Sequence, residues 1–306
     1  MKKIIIDTDP GIDDAIALCY ALNHPDLEVL ALTTIFGNVA TSLATDNALR
    51  LCELNNRQNV AVAHGADSPL TISPNPVADF VHGKNGFGNI DLPQPELQRA
   101  DLSAAELIVE LINNNPDEIT LVAVGPLTNL AKALQLSPDI AQNVAEVVIM
   151  GGAFHHKGNV TVHAEANFWN DPHAAQQVLT AAWPVTVHGL DVTYKISFSR
   201  EYLATLADNA PQTGKFLQNA AEFYIEFYKE QYGFEGCCPH DLLALTYITK
   251  PELFTLENGA LDVTSDGEAL GKSSIDATAK TNKFIATDVD SSALLSDYAE
   301  ILRHAS

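Results

Sequence analysis

Four aspartates, Asp7, Asp9, Asp13 and Asp14, fall within eight positions of the stretch KKIIIDTDPGIDDAIA at residues 2–17. Ile4, Ile5 and Ile6 before them make a short β-branched apolar run, the pattern of a buried strand. Ala15, Ile16, Ala17 and Leu18 after them begin a helical pattern, with Pro10 and Gly11 marking the turn between. The acids therefore belong at a strand's C-terminal end and on the entrance of the helix that follows, the edge where α/β sheets bind ligands. So many carboxylates in so small a space repel one another, and a helix N-terminus offers only about half a positive charge against them. An oxygen-seeking cation such as Ca²⁺ or Mg²⁺ relieves the repulsion most simply. An acidic helix cap in a solvated loop would account for Asp13 or Asp14, but not for Asp7 and Asp9 directly after an apolar strand. A metal site accounts for all of them. Phosphate-binding loops at this location are glycine-rich and neutral or basic, so a neutral ligand rich in hydroxyls suits this acidic loop better.

The elements that must position these acids alternate through the first two-thirds of the chain. Buried strands are expected at Leu27–Phe36, Val60–Ala63, Ile119–Val124, Glu146–Met150 and Val185–Leu190. Between them helices are expected at Thr41–Leu54, at Ser103–Ile112 behind a capping box of Ser103 and Glu106, after Gly125-Pro126 through Leu134, and at Pro172–Ala182. Repeated βα units of this kind predict a Rossmann-like α/β fold, with a mostly parallel sheet covered by helices on both faces and the site at the C-terminal edge of the strands. The last third changes character: a long helix over Pro211–Tyr232, a shorter one over Asp241–Thr249, strand-like pieces near Leu261–Val263 and Phe284–Ala286, and a final helix from Ser292 to Arg303. No linker and no internal repeat interrupts the 306 residues, which predicts one domain over 1–306. The exception to compactness is His64–Arg99, which carries prolines at 69, 74, 76, 93 and 95 and glycines at 65, 83, 86 and 88. A loop of that length in a compact domain is usually functional, often a lid.

Hydrophobic content of 46% and aromatic content of 7% describe an ordinary globular protein. A formal charge of −22 argues against binding nucleic acid or an anionic membrane. Asp7 ends the N-terminal apolar run after three isoleucines, and no stretch approaches the ~20 apolar residues of a membrane span, so a cytoplasmic location is expected. Cys19, Cys52, Cys237 and Cys238 show neither zinc-ligand spacing nor a disulfide framework.

Further polar residues fall where strands end, on the same edge as the aspartates. Asn38 follows the second strand, and the irregular stretch after Met150 holds Asn159, Glu165, Asn167 and Asp171. Amides and carboxylates presented from such loops suit the hydroxyls of a sugar. Each alone reads as well as a turn or capping residue, and for Asp171 before Pro172 capping is the better account. His240-Asp241 opens a helix after Pro239, where a lone Asp is an N-cap and a lone His is structural. Tyr224, Tyr228 and Tyr232 recur every four residues along one helical face. Such a stripe is core or, since buried hydroxyls need partners, a wall for a flat aromatic ligand.

The motifs DTDPGIDDA, GN after the second strand, HGKNGFG, AVGPLTNLA, VIMGGA, a second GN, AEANFWNDP and PHDLLALTY occur in the order found in one family. The chain resembles the calcium-dependent nucleoside hydrolases of the inosine–uridine-preferring type, over nearly its whole length and only loosely after Thr249. The resemblance implies hydrolysis of the N-glycosidic bond of ribonucleosides to ribose and free base, in a protein that is usually dimeric or tetrameric. It implies calcium ligands at Asp9, Asp14, Asp241 and the Val124 carbonyl. Ribose contacts are implied at Asp13, Asn38, Asn159, Glu165 and Asn167, with Met150 lining the sugar site. His82 and His240 fall near the base, as does the face of Tyr224 and Tyr228. In that setting Asp9 is the expected general base toward the attacking water and His240 the expected acid toward the leaving base. Two other classes stay open: a phosphatase with Asp7 as nucleophile beside Mg²⁺, and a nucleoside- or sugar-binding protein without chemistry. Base preference stays open too.

Overall fold

Eight strands form one sheet whose middle strand carries the acidic turn. The computed structural model describes residues 1–303. The strands are β1 (Lys2–Thr8), β2 (Leu27–Thr34), β3 (Ala61–His64), β4 (Ile119–Ala123), β5 (Glu146–Met150), β6 (Val185–His188), β7 (Phe254–Asn258), β8 (Ala260–Val263), β9 (Ser273–Asp276) and β10 (Lys283–Val289). The main sheet runs β3-β2-β1-β4-β5-β6-β10-β7, parallel throughout except for the antiparallel pair of β10 with β7. Strand order reverses between β1 and β4, because β2 and β3 lie to one side of β1 and β4 to β6 to the other. Their C-terminal ends open a crevice at that switch point, where doubly wound sheets place ligands.

Both faces of β1 are covered, which is why its isoleucines run without alternation. Ile4 and Ile6 pack with the helices Ile12–Asn23, Thr213–Tyr232, Leu242–Thr249 and Ser291–Arg303. Ile5 packs on the other face with the helices Ala104–Asn114, Thr128–Leu136 and Pro172–Thr180. The predicted capping box is present: Ser103 Oγ accepts from Glu106 N–H at 3.4 Å, and a Glu106 carboxylate oxygen accepts from Ser103 N–H at 2.9 Å. Asp171 caps its helix through Ala174 N–H at 3.0 Å.

The structure departs from the sequence expectation chiefly in the last third. The strand expected through Leu190 stops at His188, and Leu190–Thr193 is a turn of helix instead. The long helix starts at Thr213, and a separate helix at Arg200–Asn209, capped by Ser199, precedes it. The piece at Leu261–Val263 belongs to a two-stranded sheet of β8 and β9 outside the main one. β7 has no strand-like apolar pattern because it is the half-exposed edge of the sheet. All four cysteines are buried and free. Among the described residues no helix is long and apolar enough to cross a membrane.

Candidate active site

Beyond Thr8 the chain turns through Pro10 and Gly11 into the Ile12–Asn23 helix, whose first turn carries Asp13 and Asp14. Gly11 at the N-cap has no side chain to offer, so Asp14 reaches back to its N–H at 2.9 Å. The other Asp14 oxygen accepts from Thr8 Oγ1 at 2.5 Å. The loop after β2 closes over both acids: Asn38 Nδ2 donates to Asp14 at 3.0 Å, and Asn38 N–H donates to Asp9 Oδ2 at 2.6 Å. Asp9 Oδ1 is buried and receives no hydrogen bond among the described residues. Two glycines make room for that carboxylate. A Cβ on Gly37 would lie 2.0 Å from Asp9 Oδ2, and one on Gly125 would lie 2.6 Å from Asp9 Oδ1. The GN and GPLTN motifs thus carry glycine where Asp9 leaves space for nothing larger.

Asp7 belongs to a different environment. It accepts from Thr33 Oγ1 at 2.5 Å and Asn129 Nδ2 at 2.8 Å, and burial pushes it up to about 7. It does not line the site cavity, and neither do Asp9 and Asp14, whereas Asp13, Glu165 and Asp241 do.

Asp13, Asp14 and Asp241 each offer an oxygen within 4.8 Å of the others, all three buried. Asp241 stands at the N-cap of the Leu242–Thr249 helix, yet its side chain makes no capping bond. Its carboxylate is turned to the acids instead, and burial followed by repulsion from Asp13, Asp14 and Asp9 raises it well above the carboxylate range. Burial likewise pushes Asp13 and Asp14 up to about 6. Asp9 is raised well above its ordinary value by burial and then by Asp14. Groups so expensive to ionise gain most from a cation. The donor set, carboxylates only, suits a hard one. The expected ligands Asp14 and Asp241 are in this group. Asp13, expected at the ribose, completes it, and Asp9 lies outside it with one oxygen unpartnered. The Val124 carbonyl, the fourth expected ligand, lines the same cavity and accepts from Asn167 Nδ2 at 2.8 Å.

The cavity has a volume of about 230 Å³. Asp13, Asp241 and Val124 line it together with the expected sugar-side residues Asn38, Met150, Asn159, Glu165 and Asn167. Asn167 Nδ2 also reaches the Met150 carbonyl at 3.1 Å, and Asn159 Oδ1 accepts from Ala166 N–H at 3.0 Å. Glu165 is fixed from behind by the N–H groups of Gly152 at 2.8 Å and Asn167 at 2.9 Å, although burial still pushes it up to about 7. Glu165, Asn159 and Asn167 are therefore held by backbone groups while they line the cavity.

The opposite wall is aromatic. His82, Tyr224, Tyr228 and His240 line it, and so does Tyr232, the third member of the tyrosine stripe. His82 Nδ1 accepts from Ile12 N–H at 3.2 Å and lies 3.8 Å from Asp13, while burial lowers it to about 4. His240 is engaged at both ring nitrogens, by Thr193 and Tyr228, and burial lowers it to about 3. Tyr194, Phe80 and Phe227 also line the wall and were not foreseen. Tyr194 directly follows the short Leu190–Thr193 helix beyond β6, an element that the sequence pattern does not signal.

Within His64–Arg99 the only helix is Asp79–His82. It buries His82 against the acidic turn while Phe80 stays 67% exposed at the cavity mouth. Beyond Gly83 the stretch is anchored, with Phe87 fully buried against Phe216 and the Asn85 carbonyl accepting from Asn47 Nδ2 at 2.9 Å. Closing on a ligand would therefore fall to the turn that carries Phe80 and His82. Amide hydrogen exchange is expected to slow around residues 80–90 when a ribose-like inhibitor binds. Equal, strong protection in the free protein would mark a static wall.

The chain matches the family described as inosine-uridine preferring nucleoside hydrolase over residues 4–296. It is 42% identical over 275 residues to uridine nucleosidase 1 of Arabidopsis thaliana, covering 90% of this chain and 82% of that one. It is 35% identical over 269 residues to the inosine-uridine preferring nucleoside hydrolase of Crithidia fasciculata, covering 87% and 85%. Among solved structures, a plant nucleoside hydrolase superposes with a TM-score of 0.94 at 37% identity over 98% of both chains. The purine-preferring ribonucleoside hydrolase of Gardnerella vaginalis superposes at 0.96 with 31% identity over 99% of both. A match over nearly the whole chain, in sequence and in fold, places this protein in the inosine-uridine preferring nucleoside hydrolase family.

Proposed function

We propose that the chain hydrolyses the N-glycosidic bond of ribonucleosides, with Ca²⁺ held by Asp13, Asp14, Asp241 and the acids and carbonyl around them. The observation that carries this reading is the buried triad of Asp13, Asp14 and Asp241, two members of which, Asp13 and Asp241, line a cavity shared with amide and aromatic side chains. Bound there, Ca²⁺ supplies the positive charge that draws hydroxyl and water oxygens and acidifies water. Asp9, with an unpartnered oxygen in the same nest of acids, is the base proposed to take the proton of the attacking water. Asn38, Asn159, Glu165 and Asn167 are placed to fix the sugar hydroxyls. The acids around the ribose also favour the oxocarbenium-like charge that develops at C1′ as the bond to the base breaks. Tyr228 and His240, in contact through their side chains, form the proton-donating side toward the leaving base.

The phosphatase alternative requires Asp7 as nucleophile, and Asp7 is fully buried with Thr33 and Asn129 on one oxygen and no partner on the other among the described residues. The family match over residues 4–296 favours the nucleoside hydrolase reading instead. The test is release of free ribose from a panel of purine and pyrimidine nucleosides, with and without a calcium chelator. Turnover that the chelator stops and Ca²⁺ restores is expected. Binding without ribose release would overturn the reading.

Free nucleosides are expected to be better substrates than their 5′-monophosphates by about tenfold or more, because Glu165, which the family resemblance implies at the ribose 5′-hydroxyl, would face the phosphate with like charge once ionised. No lysine or arginine lines the cavity to compensate, among the described residues. Comparing uridine with uridine 5′-monophosphate at equal concentration measures this, and equal rates would move Glu165 away from the 5′ end.

A further inference from the structure

His240 is buried with both ring nitrogens engaged: Nδ1 lies 2.7 Å from Thr193 Oγ1 and Nε2 lies 2.8 Å from Tyr228 Oη. Neither partner carries a charge that would hold an imidazolium. A neutral ring has one N–H and one bare nitrogen, so one contact is a donor and the other an acceptor.

Thr193 decides which. It is 0% exposed at the end of the short Leu190–Thr193 helix, and its hydroxyl has no hydrogen-bond partner but His240 Nδ1 among the described residues. With the proton on Nδ1, Thr193 would accept and its own proton would be buried without an acceptor. With Thr193 donating to Nδ1, every group is satisfied and the ring proton sits on Nε2. Nε2–H then donates to Tyr228 Oη, and the Tyr228 proton is left for the neighbouring Tyr224 hydroxyl, the Cys238 sulfur or a ligand in the cavity that Tyr228 lines. In the other tautomer Tyr228 would have to donate to Nε2 and would have no proton left for a ligand.

We infer that Thr193 is a positioning residue that holds His240 in its Nε2–H tautomer and thereby aims the Tyr228 hydroxyl proton at the leaving base. The inference rests on the base-side reading of Tyr228 and His240 above. As the C1′–N bond breaks, its electron pair goes to the base, and a base nitrogen takes the Tyr228 proton. The phenolate left behind accepts the Nε2–H of His240, and that proton stays on the ring. The hydroxyl of the attacking water ends on C1′, and the proton it gives up returns through solvent to Tyr228, so the sum is water added across the bond.

Thr193→Val keeps the volume and removes the hydroxyl, and Thr193→Ser restores a donor. Nitrogen-15 spectra of imidazole-labelled protein are expected to show Nε2 protonated and Nδ1 bare in the native chain and in Thr193→Ser, and that preference to weaken in Thr193→Val, with a share of the ring protonated at Nδ1. Orienting a general acid is a share of its 10²–10⁴-fold effect, so kcat on inosine should fall about tenfold or more in Thr193→Val. KM should move little, p-nitrophenyl riboside should be much less affected, and Thr193→Ser should recover inosine turnover. A native ring protonated at Nδ1 would overturn the inference. So would equal losses on both substrates that serine does not rescue. The spectra need no turnover, so a native chain that cleaves no nucleoside would remove the functional reading while the tautomer is still decided.

Discussion

Asp241→Asn is expected to reduce nucleoside turnover by about a thousandfold or more, because the charge stabilisation a catalytic metal supplies is worth several kcal/mol and each 1.36 kcal/mol is tenfold. The substitution isolates that effect. Asp241 makes no capping bond, so the isosteric amide removes charge without removing a helix contact. Asp14→Asn should cost as much activity and also some stability, since Asp14 accepts from Thr8, Gly11 and Asn38. Rates with saturating Ca²⁺, calcium titration by calorimetry and a thermal melt of each variant separate the two contributions. A variant that folds, binds Ca²⁺ normally and turns over normally would end the metal assignment.

The same acids give the metal-free protein a pH dependence. Asp13 and Asp14 sit at about 6 and Glu165 at about 7, all raised by burial above the values an unfolded chain would show. The folded state therefore holds their protons more tightly than the unfolded state. The stability this contributes is fully present below the unfolded carboxylate range and is lost as pH rises through the folded values. In chelator the melting temperature is expected to fall between about pH 4 and pH 7. A cation that pairs with the ionised carboxylates removes that penalty, so the stabilisation by Ca²⁺ should grow over the same interval. A calcium-induced shift that is equal at pH 5 and pH 8 would contradict the raised values.

How much of this was legible depended on how local each signal was. The acidic turn was legible because its parts are contiguous: an isoleucine run fixes β1, Pro10 and Gly11 fix the turn, and Asp13 and Asp14 must then stand on the helix entrance. The parallel sheet followed from the repeated alternation, and the resemblance carried Asp241 and Asn167 to the same cavity. Thr193 and Tyr194 were not legible, because the apolar run of β6 hides where the strand stops and a four-residue helix takes over. Asp7 shows the converse limit. It has the same type and neighbourhood as Asp9, and strand alternation would put residues two apart on one face, but β1 ends at Thr8 and leaves Asp9 to the turn, and only pairing with Thr33 and Asn129 reveals the separate environment of Asp7. Which carboxylates approach one another most closely, here Asp13, Asp14 and Asp241, is likewise a matter of ångströms that spacing along the chain does not encode.

His240→Ala is expected to lose most activity on inosine and uridine and to keep much of it on p-nitrophenyl riboside. The nitrophenolate departs as a stable anion, whereas a purine or pyrimidine leaves poorly without a proton, and general acid catalysis contributes about 10²–10⁴-fold. Burial holds His240 down at about 3, so near neutral pH it acts as an uncharged ring in contact with Tyr228. Tyr228→Phe should therefore reproduce the His240→Ala pattern, and the double variant should be little worse than either single one, because the two groups serve one proton. The alanine also leaves the Thr193 hydroxyl without its only partner among the described residues, which lowers stability but acts equally on every substrate. The ratio of kcat/KM between inosine and p-nitrophenyl riboside removes that common factor. A ratio unchanged by His240→Ala would make the histidine a structural support for the wall and leave the leaving base to be protonated by solvent.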